Sequence, residues 1–295
     1  MKMPLEDGAP AWFHEAVAQP RSAHALTSRD GTGLHMAGWN AGERDKPPLL
    51  LVHGYRGNAH WWDFIAPWFC ATHRVFALDL AGMGESGSRA IYTTAAFTDD
   101  VIAAVEQLAP QSPQGGVTVA AHSFGGGRLL EGCVRTRRLI SHAIVLDSHI
   151  AMRGDAPFPR LAVGNPRPYA DRRLAESRFR LLPDQPHLGY LKSYLASQSL
   201  REVDGGWTWQ FDPALPLDLM GLPMDDYARA VEVPVDLVRG EHSALLDAPR
   251  ARRIAAMLPR CRSLIELPDA HHHLMLDQPL ALVATLRCLL ARPPA

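Results

Sequence analysis

Lysine is almost missing from this chain. It stands only at positions 2, 46 and 192, and arginine supplies the rest of the 30 basic residues. That bias points to a GC-rich bacterial coding sequence and carries no mechanism. Cysteine is sparse as well. The four residues Cys70, Cys133, Cys261 and Cys288 lie far apart without a CxxC pair, which argues against a disulfide framework in a chain of 295 residues. Neither charge sign is in excess, since 31 acidic residues against 30 basic ones leave a formal charge of −1. No global field draws the protein to nucleic acid or anionic lipid, so neither is expected as a partner. No stretch reaches the roughly 18 uninterrupted apolar residues of a membrane span. Met1 to Gly8 holds no apolar run before its first acids, so no secretory signal is expected and a cytoplasmic location is predicted. Internal repeats and low-complexity tracts are lacking too.

What is present is an alternation of short apolar runs with helical patterns. Pro48-Leu49-Leu50-Leu51-Val52 is wholly apolar and ended by His53-Gly54, the pattern of a strand buried on both faces. Similar runs occur at Arg74–Leu78, Gly116–Ala121, Ala143–Leu146, Val235–Val238 and Ser263–Leu267. Helical patterns lie between them at Thr94–Leu108, Arg128–Arg135, Ala248–Leu258 and Pro279–Leu290, and two short strands at Ser22–Leu26 and Gly33–Trp39 precede them. The alternation predicts an α/β fold with a doubly wound, mostly parallel sheet. From about Ala151 to Val233 it breaks off. Clusters such as Pro157-Phe158-Pro159, Pro166-Arg167-Pro168-Tyr169 and Trp207-Thr208-Trp209 take over, with helical patterns at Asp171–Leu182 and Gly189–Gln198. A structureless loop of that length is rare, so a helical lid inserted between two core strands is expected. The chain then divides into core (1–149), lid (150–232) and core again (233–295).

The chemistry concentrates at Val117-Thr118-Val119-Ala120-Ala121-His122-Ser123-Phe124-Gly125-Gly126-Gly127. A buried strand runs into a turn of small residues and then a helix, as in the G-x-S-x-G nucleophile elbow, with Ala121 in place of the first glycine. A tight structural turn is the bland alternative. Helix N-terminal N–H groups are unpaired and favour negative charge, so the Phe124 N–H is placed to stabilise an oxyanion beside Ser123. The loop His53-Gly54-Tyr55-Arg56-Gly57 offers a second donor, the Tyr55 N–H.

His53-Gly54-Tyr55, Asp79-Leu80-Ala81-Gly82-Met83-Gly84-Glu85-Ser86, the Ser123 elbow and the late Pro268-Asp269-Ala270-His271-His272-His273 together resemble the α/β-hydrolase superfamily, over about Leu34 to Leu290. The resemblance makes Asp79–Ser86 a loop device. It also selects His272 as general base, seven residues before Pro279, with His271 where glycine is usual; the alternative is a histidine-rich loop or metal site. A triad needs a carboxylate to orient the imidazole. Relatives usually carry it three or four residues after the glycine that ends the penultimate strand. Here those positions hold Ser243 and Ala244. Some members place the acid one strand earlier, where this chain has Asp147. Asp147 is the first choice, with Glu241, Asp247 or no acid left open, and Asp147 otherwise capping the entrance to the lid.

Serine rather than aspartate at the elbow implies acyl transfer to water. The expected activity is hydrolysis of a carboxylic ester, thioester or lactone of a small, largely apolar substrate. Hydrolysis of a C–C bond beside a ketone, or a non-catalytic binder on the same fold, are the alternatives. Trp61, Trp62, Trp207 and Trp209 are expected to line the pocket, or else to be core. No cofactor or metal is expected, and the chain is read as a monomer or homodimer.

Overall fold

A computed structural model describes residues 8–113, 115–136, 138–155, 168–216, 219 and 222–292. Helix α1 (Ala11–Val17) leads into the antiparallel pair β1 (Ser22–Thr27) and β2 (Gly33–Trp39). Strands β3 (Pro48–Val52) and β4 (Arg74–Leu78) precede α2 (Thr94–Leu108), then β5 (Val117–His122), α3 (Phe124–Thr136) and β6 (Ile140–Leu146). The inserted segment carries α4 (Arg172–Ser177), α5 (Gly189–Gln198), the hairpin β7 (Leu200–Val203) and β8 (Gly206–Trp209), and α6 (Asp225–Ala230). The chain returns through β9 (Val235–Gly240), α7 (Ala248–Met257) and β10 (Cys261–Leu267), and closes with α8 (Leu274–Asp277) and α9 (Pro279–Leu290).

The main sheet has eight strands in the order β1-β2-β4-β3-β5-β6-β9-β10. From β4 to β10 every pairing is parallel. β3 and β4 are buried at all five positions, as a sheet covered on both faces requires. Alternation along β3 divides its side chains between two cores. Leu50 and Val52 pack with Phe97, Val101 and Leu129 of α2 and α3. Leu49 and Leu51 pack with Phe13 of α1 and with Leu282 and Leu286 of α9. The chain places β4 on one side of β3 and β5 on the other. That reversal opens a crevice at the carboxyl ends of β3 and β5, where open α/β sheets bind ligands.

The α/β expectation holds, with a refinement in the insertion. Its described part is mixed: β7 and β8 form an antiparallel hairpin, tied to Tyr169 by paired backbone bonds of 2.7 Å with Trp207. The helical run expected over 171–182 stops at Ser177. Asp171 caps it by accepting from Leu174 N (2.9 Å), and Phe179–Pro183 continue without regular structure, bending at Leu182 and Pro183. The clusters at 157–159 and 166–167 lie outside the described residues.

Candidate active site

Ser123 stands alone between β5 and α3. Its φ of +53° is a left-handed backbone conformation that non-glycine residues rarely adopt. The bend is held from both sides. Ser123 N donates to Leu146 O (2.9 Å), and Gly126 N donates to Ser123 O (3.0 Å). The glycines after it let α3 approach the sheet. A Cβ on Gly125 would stand 2.7 Å from the His53 carbonyl oxygen, closer than atoms pack. Ala121, in place of the usual glycine, is fully buried in β5 and its methyl is accommodated. Phe124 N is the first amide of α3, where a helix has no intrahelical acceptor to offer.

His272 arrives from the loop after β10. Ser123 Oγ donates to its Nε2 at 3.0 Å, while its Nδ1–H donates to Asp147 Oδ1 at 2.8 Å. Asp147 follows β6 directly, with φ of +41°, and is completely buried. Burying a carboxylate requires that its oxygens be satisfied, and here they are. Oδ1 also accepts from Ser243 Oγ (2.6 Å), and Oδ2 accepts from Gly240 N (2.7 Å). Ser243 is itself fixed, its hydroxyl accepting from Leu245 N (3.2 Å) and Leu246 N (3.0 Å). At the position where the family resemblance implied an acid, Ser243 thus offers a hydroxyl that braces a carboxylate from the neighbouring strand. The other two acid candidates are engaged elsewhere. Glu241 accepts from Asp269 N at the surface, and Asp247 caps α7.

The glycine-rich loop after β3 turns at Gly54–Gly57, closed by Gly57 N donating to Gly54 O (3.0 Å), with Arg56 at φ +58°. His53 is a strut: Leu80 N donates to its Nε2 (3.1 Å), so Nδ1 carries the hydrogen and donates to Gly54 O (2.7 Å). Asp79 is also structural, accepting from His35 Nδ1 (2.7 Å), Ala59 N (2.6 Å) and Glu85 N (3.0 Å).

A cavity of about 390 Å³ opens beside Ser123 and His272. Trp61 and Trp209 line it, with Phe179, Leu181 and Phe211. Trp62 and Trp207 do not belong to its lining, contrary to the expectation. Trp62 is completely buried in the core beneath β3, and Trp207 lies in the hairpin under the Arg172 guanidinium, 4.9 Å from its ring centre. Sequence reading passed over His122, and for His273 it left open a place behind the site or one facing solvent; the structure buries it. Both rings are buried near Trp61 and His272. His122 Nε2 donates to His272 O (2.9 Å) and so anchors the His272 backbone, while its Nδ1 is buried without a partner. Burial first, and then the neighbouring His272, hold both imidazoles well below their usual range, so both are neutral. One ring nitrogen from each of His122, His272 and His273 falls within 4.8 Å of the others. A cation seated there would compete for the ring that Ser123 and Asp147 share. Their position was signalled by the His271–His273 run and by His122 inside the elbow; only burial separates their roles.

Comparison with known proteins widens this picture. Over 96 residues the chain is 33% identical to "Probable oxidoreductase EphD" of Mycobacterium tuberculosis, which is 32% of this chain but only 16% of that protein. "Carboxylesterase YbfK" of Bacillus subtilis is 26% identical over 248 residues, 81% of this chain and 78% of its own length. In solved structures, the thioesterase domain of the curacin biosynthetic pathway superposes with a TM-score of 0.74 at 21% identity, covering 91% of this chain and 99% of that one, which shows a shared fold. Among the described residues no helix is long and apolar enough to cross a membrane. A model of the alpha/beta hydrolase family matches residues 49–286. Because that match runs from β3 into α9, and so takes in the body of the parallel sheet together with Ser123, Asp147 and His272, the chain belongs to the alpha/beta hydrolase family.

Proposed function

We propose that this chain is a serine hydrolase that cleaves a carboxylic ester, thioester or lactone of a small, largely apolar acyl compound through an acyl-enzyme on Ser123. The observation that carries the reading is the unbroken pair of hydrogen bonds from Ser123 Oγ to His272 and from His272 to Asp147. In the reaction Ser123 Oγ attacks the carbonyl carbon as His272 Nε2 takes its proton. The amides of Phe124 and Tyr55 hold the oxygen as it becomes negative. The imidazolium, steadied by Asp147, returns the proton to the leaving group, and water repeats the sequence on the acyl-enzyme. The carboxylesterase name of the Bacillus relative favours an oxygen ester over a C–C bond. The non-catalytic alternative loses its main motive, because the missing acid after Gly240 is matched by Asp147 one strand away.

In this reading residues 150–232 act as a lid on a core formed by 1–149 and 233–295, and Trp61 and Trp209 form part of the apolar wall. A cytoplasmic setting accords with four cysteines that are all free. A fluorophosphonate probe tests the central claim. Wild type is expected to label stoichiometrically and Ser123→Ala not at all. A folded wild type that resists labelling refutes the mechanism.

A further inference from the structure

The cavity beside Ser123 is not uniformly apolar. Three arginines, Arg56, Arg178 and Arg180, are among its lining residues, the last two exposed, and no carboxylate is among the described residues that line it. None of the three forms an ion pair among the described residues. Arg180 donates only to the carbonyls of Ser177 and Phe179, both at 2.8 Å. Arg56 is the distinctive one. It occupies the left-handed position of the Gly54–Gly57 turn, two residues beyond the glycine that packs against Ser123 Cβ and His122. Its guanidinium lies over the Phe211 ring, 4.7 Å from the centre. Its Nε and Nη2 are buried and have no hydrogen-bond partner. Tyr55, the preceding residue, donates its hydroxyl to Pro216 O (2.6 Å), and its side chain also lies against Arg56, whose guanidinium carbon is 5.8 Å from the Tyr55 ring centre.

Buried guanidinium N–H groups without acceptors are costly. Both atoms are shielded from water in this structure, so an acceptor reaches them only if the Arg56 side chain shifts toward the cavity that it lines. Stacking on Phe211 fixes the plane of the fork, and a fixed fork matches the two oxygens of a carboxylate or phosphate. The overall charge of −1 makes this cluster local, so it is not explained by a generally basic surface.

We propose that the substrate carries an anionic group at the end remote from the scissile ester, and that Arg56, with Arg178 and Arg180 at the mouth, binds it. The inference rests on the serine hydrolase reading for its reaction but not for its binding. The acyl chain lies along Trp61, Phe179 and Trp209, with its terminal carboxylate or phosphate on the Arg56 fork.

Two measurements separate the claims. Ser123→Ala protein, which is unable to turn over, is titrated calorimetrically with adipate, hexyl phosphate and 1,6-hexanediol. Both anions are expected to bind at least tenfold more tightly than the diol, and the tighter of the two identifies the anion. Wild type is then assayed with mono-4-nitrophenyl adipate against 4-nitrophenyl hexanoate. The ratio of kcat/KM is expected to favour the adipate ester at least tenfold at low salt and to shrink as salt rises. Arg56→Gln lowers that ratio at least tenfold, and Arg56→Lys restores part of it. Anions that bind Ser123→Ala no better than the diol overturn the subsite, whatever happens to the esters. So does an unchanged ratio in Arg56→Gln. Tight anion binding with no ester turnover in wild type refutes the hydrolase reading and leaves the anion site standing.

Discussion

At the residue scale two hydroxyls, a carboxylate and an imidazole meet in one hydrogen-bonded chain, Ser243–Asp147–His272–Ser123. Asp147 takes the imidazole from the end of β6, and Ser243 fills the place at the end of β9 with a hydroxyl 2.6 Å from Asp147 Oδ1. Asp147→Asn removes the charge that steadies the imidazolium and presents an amide to the ring, so kcat is expected to fall by about 10⁴. Glu241→Gln, at the surface, is expected to change it less than twofold. Because Ser243 Oγ already touches the oxygen that receives His272, an added Ser243→Asp in the Asp147→Asn background should recover at least tenfold of the lost kcat. Steady-state kinetics of the three variants checks all of this, and a Glu241 effect larger than that of Asp147 would reverse the assignment. Ser123 and His272 were legible in the sequence because their neighbours were: a strand and a helix around the serine, a proline seven residues past the histidine. Arg56 and His122 were not, since a guanidinium or an imidazole beside a motif looks the same in sequence whether it is solvated or stranded in a pocket.

At the scale of elements, the strands that read most clearly were those buried on both faces. Pro48–Val52 and Arg74–Leu78 matched to the residue because a parallel strand between two cores shows an unbroken apolar run. The hairpin β7–β8 escaped notice. Its strands have four residues each and all of β8 is half-buried, so neither an apolar run nor clean alternation marks it. Helix α3 begins four residues earlier than its apolar periodicity suggested, because its first turn holds Gly125, Gly126 and Gly127, which carry no periodicity, and Gly125 and Gly126 pack close to the ends of β3 and β6. That close approach has a measurable price. Gly125→Ala would press a methyl into the His53 carbonyl at 2.7 Å and push the helix off β3, separating the Phe124 amide from the loop that carries Tyr55. Overpacking of this kind costs about 1–3 kcal/mol. The variant is therefore expected to melt below wild type and to lose kcat more than KM, in thermal scans and ester kinetics run together. A variant equal to wild type in both would show that the helix can slide without consequence.

At the scale of the whole molecule, burial of histidine sets the response to acid. His24, His53, His73, His122, His149 and His273 are all lowered from the ordinary imidazole value, with burial the largest cause in each. Unfolded chain exposes them near 6.5, where they take up protons that the native state refuses. Stability is therefore full above about pH 6.5 and is lost as pH falls toward the lower native values. His35 opposes this. Its hydrogen bond to Asp79 raises it, so its contribution is present below 6.5 and fades as pH rises. Six groups against one predict a melting temperature that declines from pH 7 to pH 5, before most carboxylates titrate. A melting temperature flat or rising over that interval would contradict the balance. The sheet order has its own bearing on how the molecule fails. Ser123, Asp147 and His272 hang from β5, from β6 and from the loop past β10, and they meet only while β5, β6, β9 and β10 lie side by side. No contiguous stretch of chain holds a working fragment, and a shift of any one of those strands dissolves the constellation. In rising urea the loss of probe labelling should trace the same curve as the loss of the sheet's circular dichroism, so that a catalytic readout doubles as a gauge of global integrity.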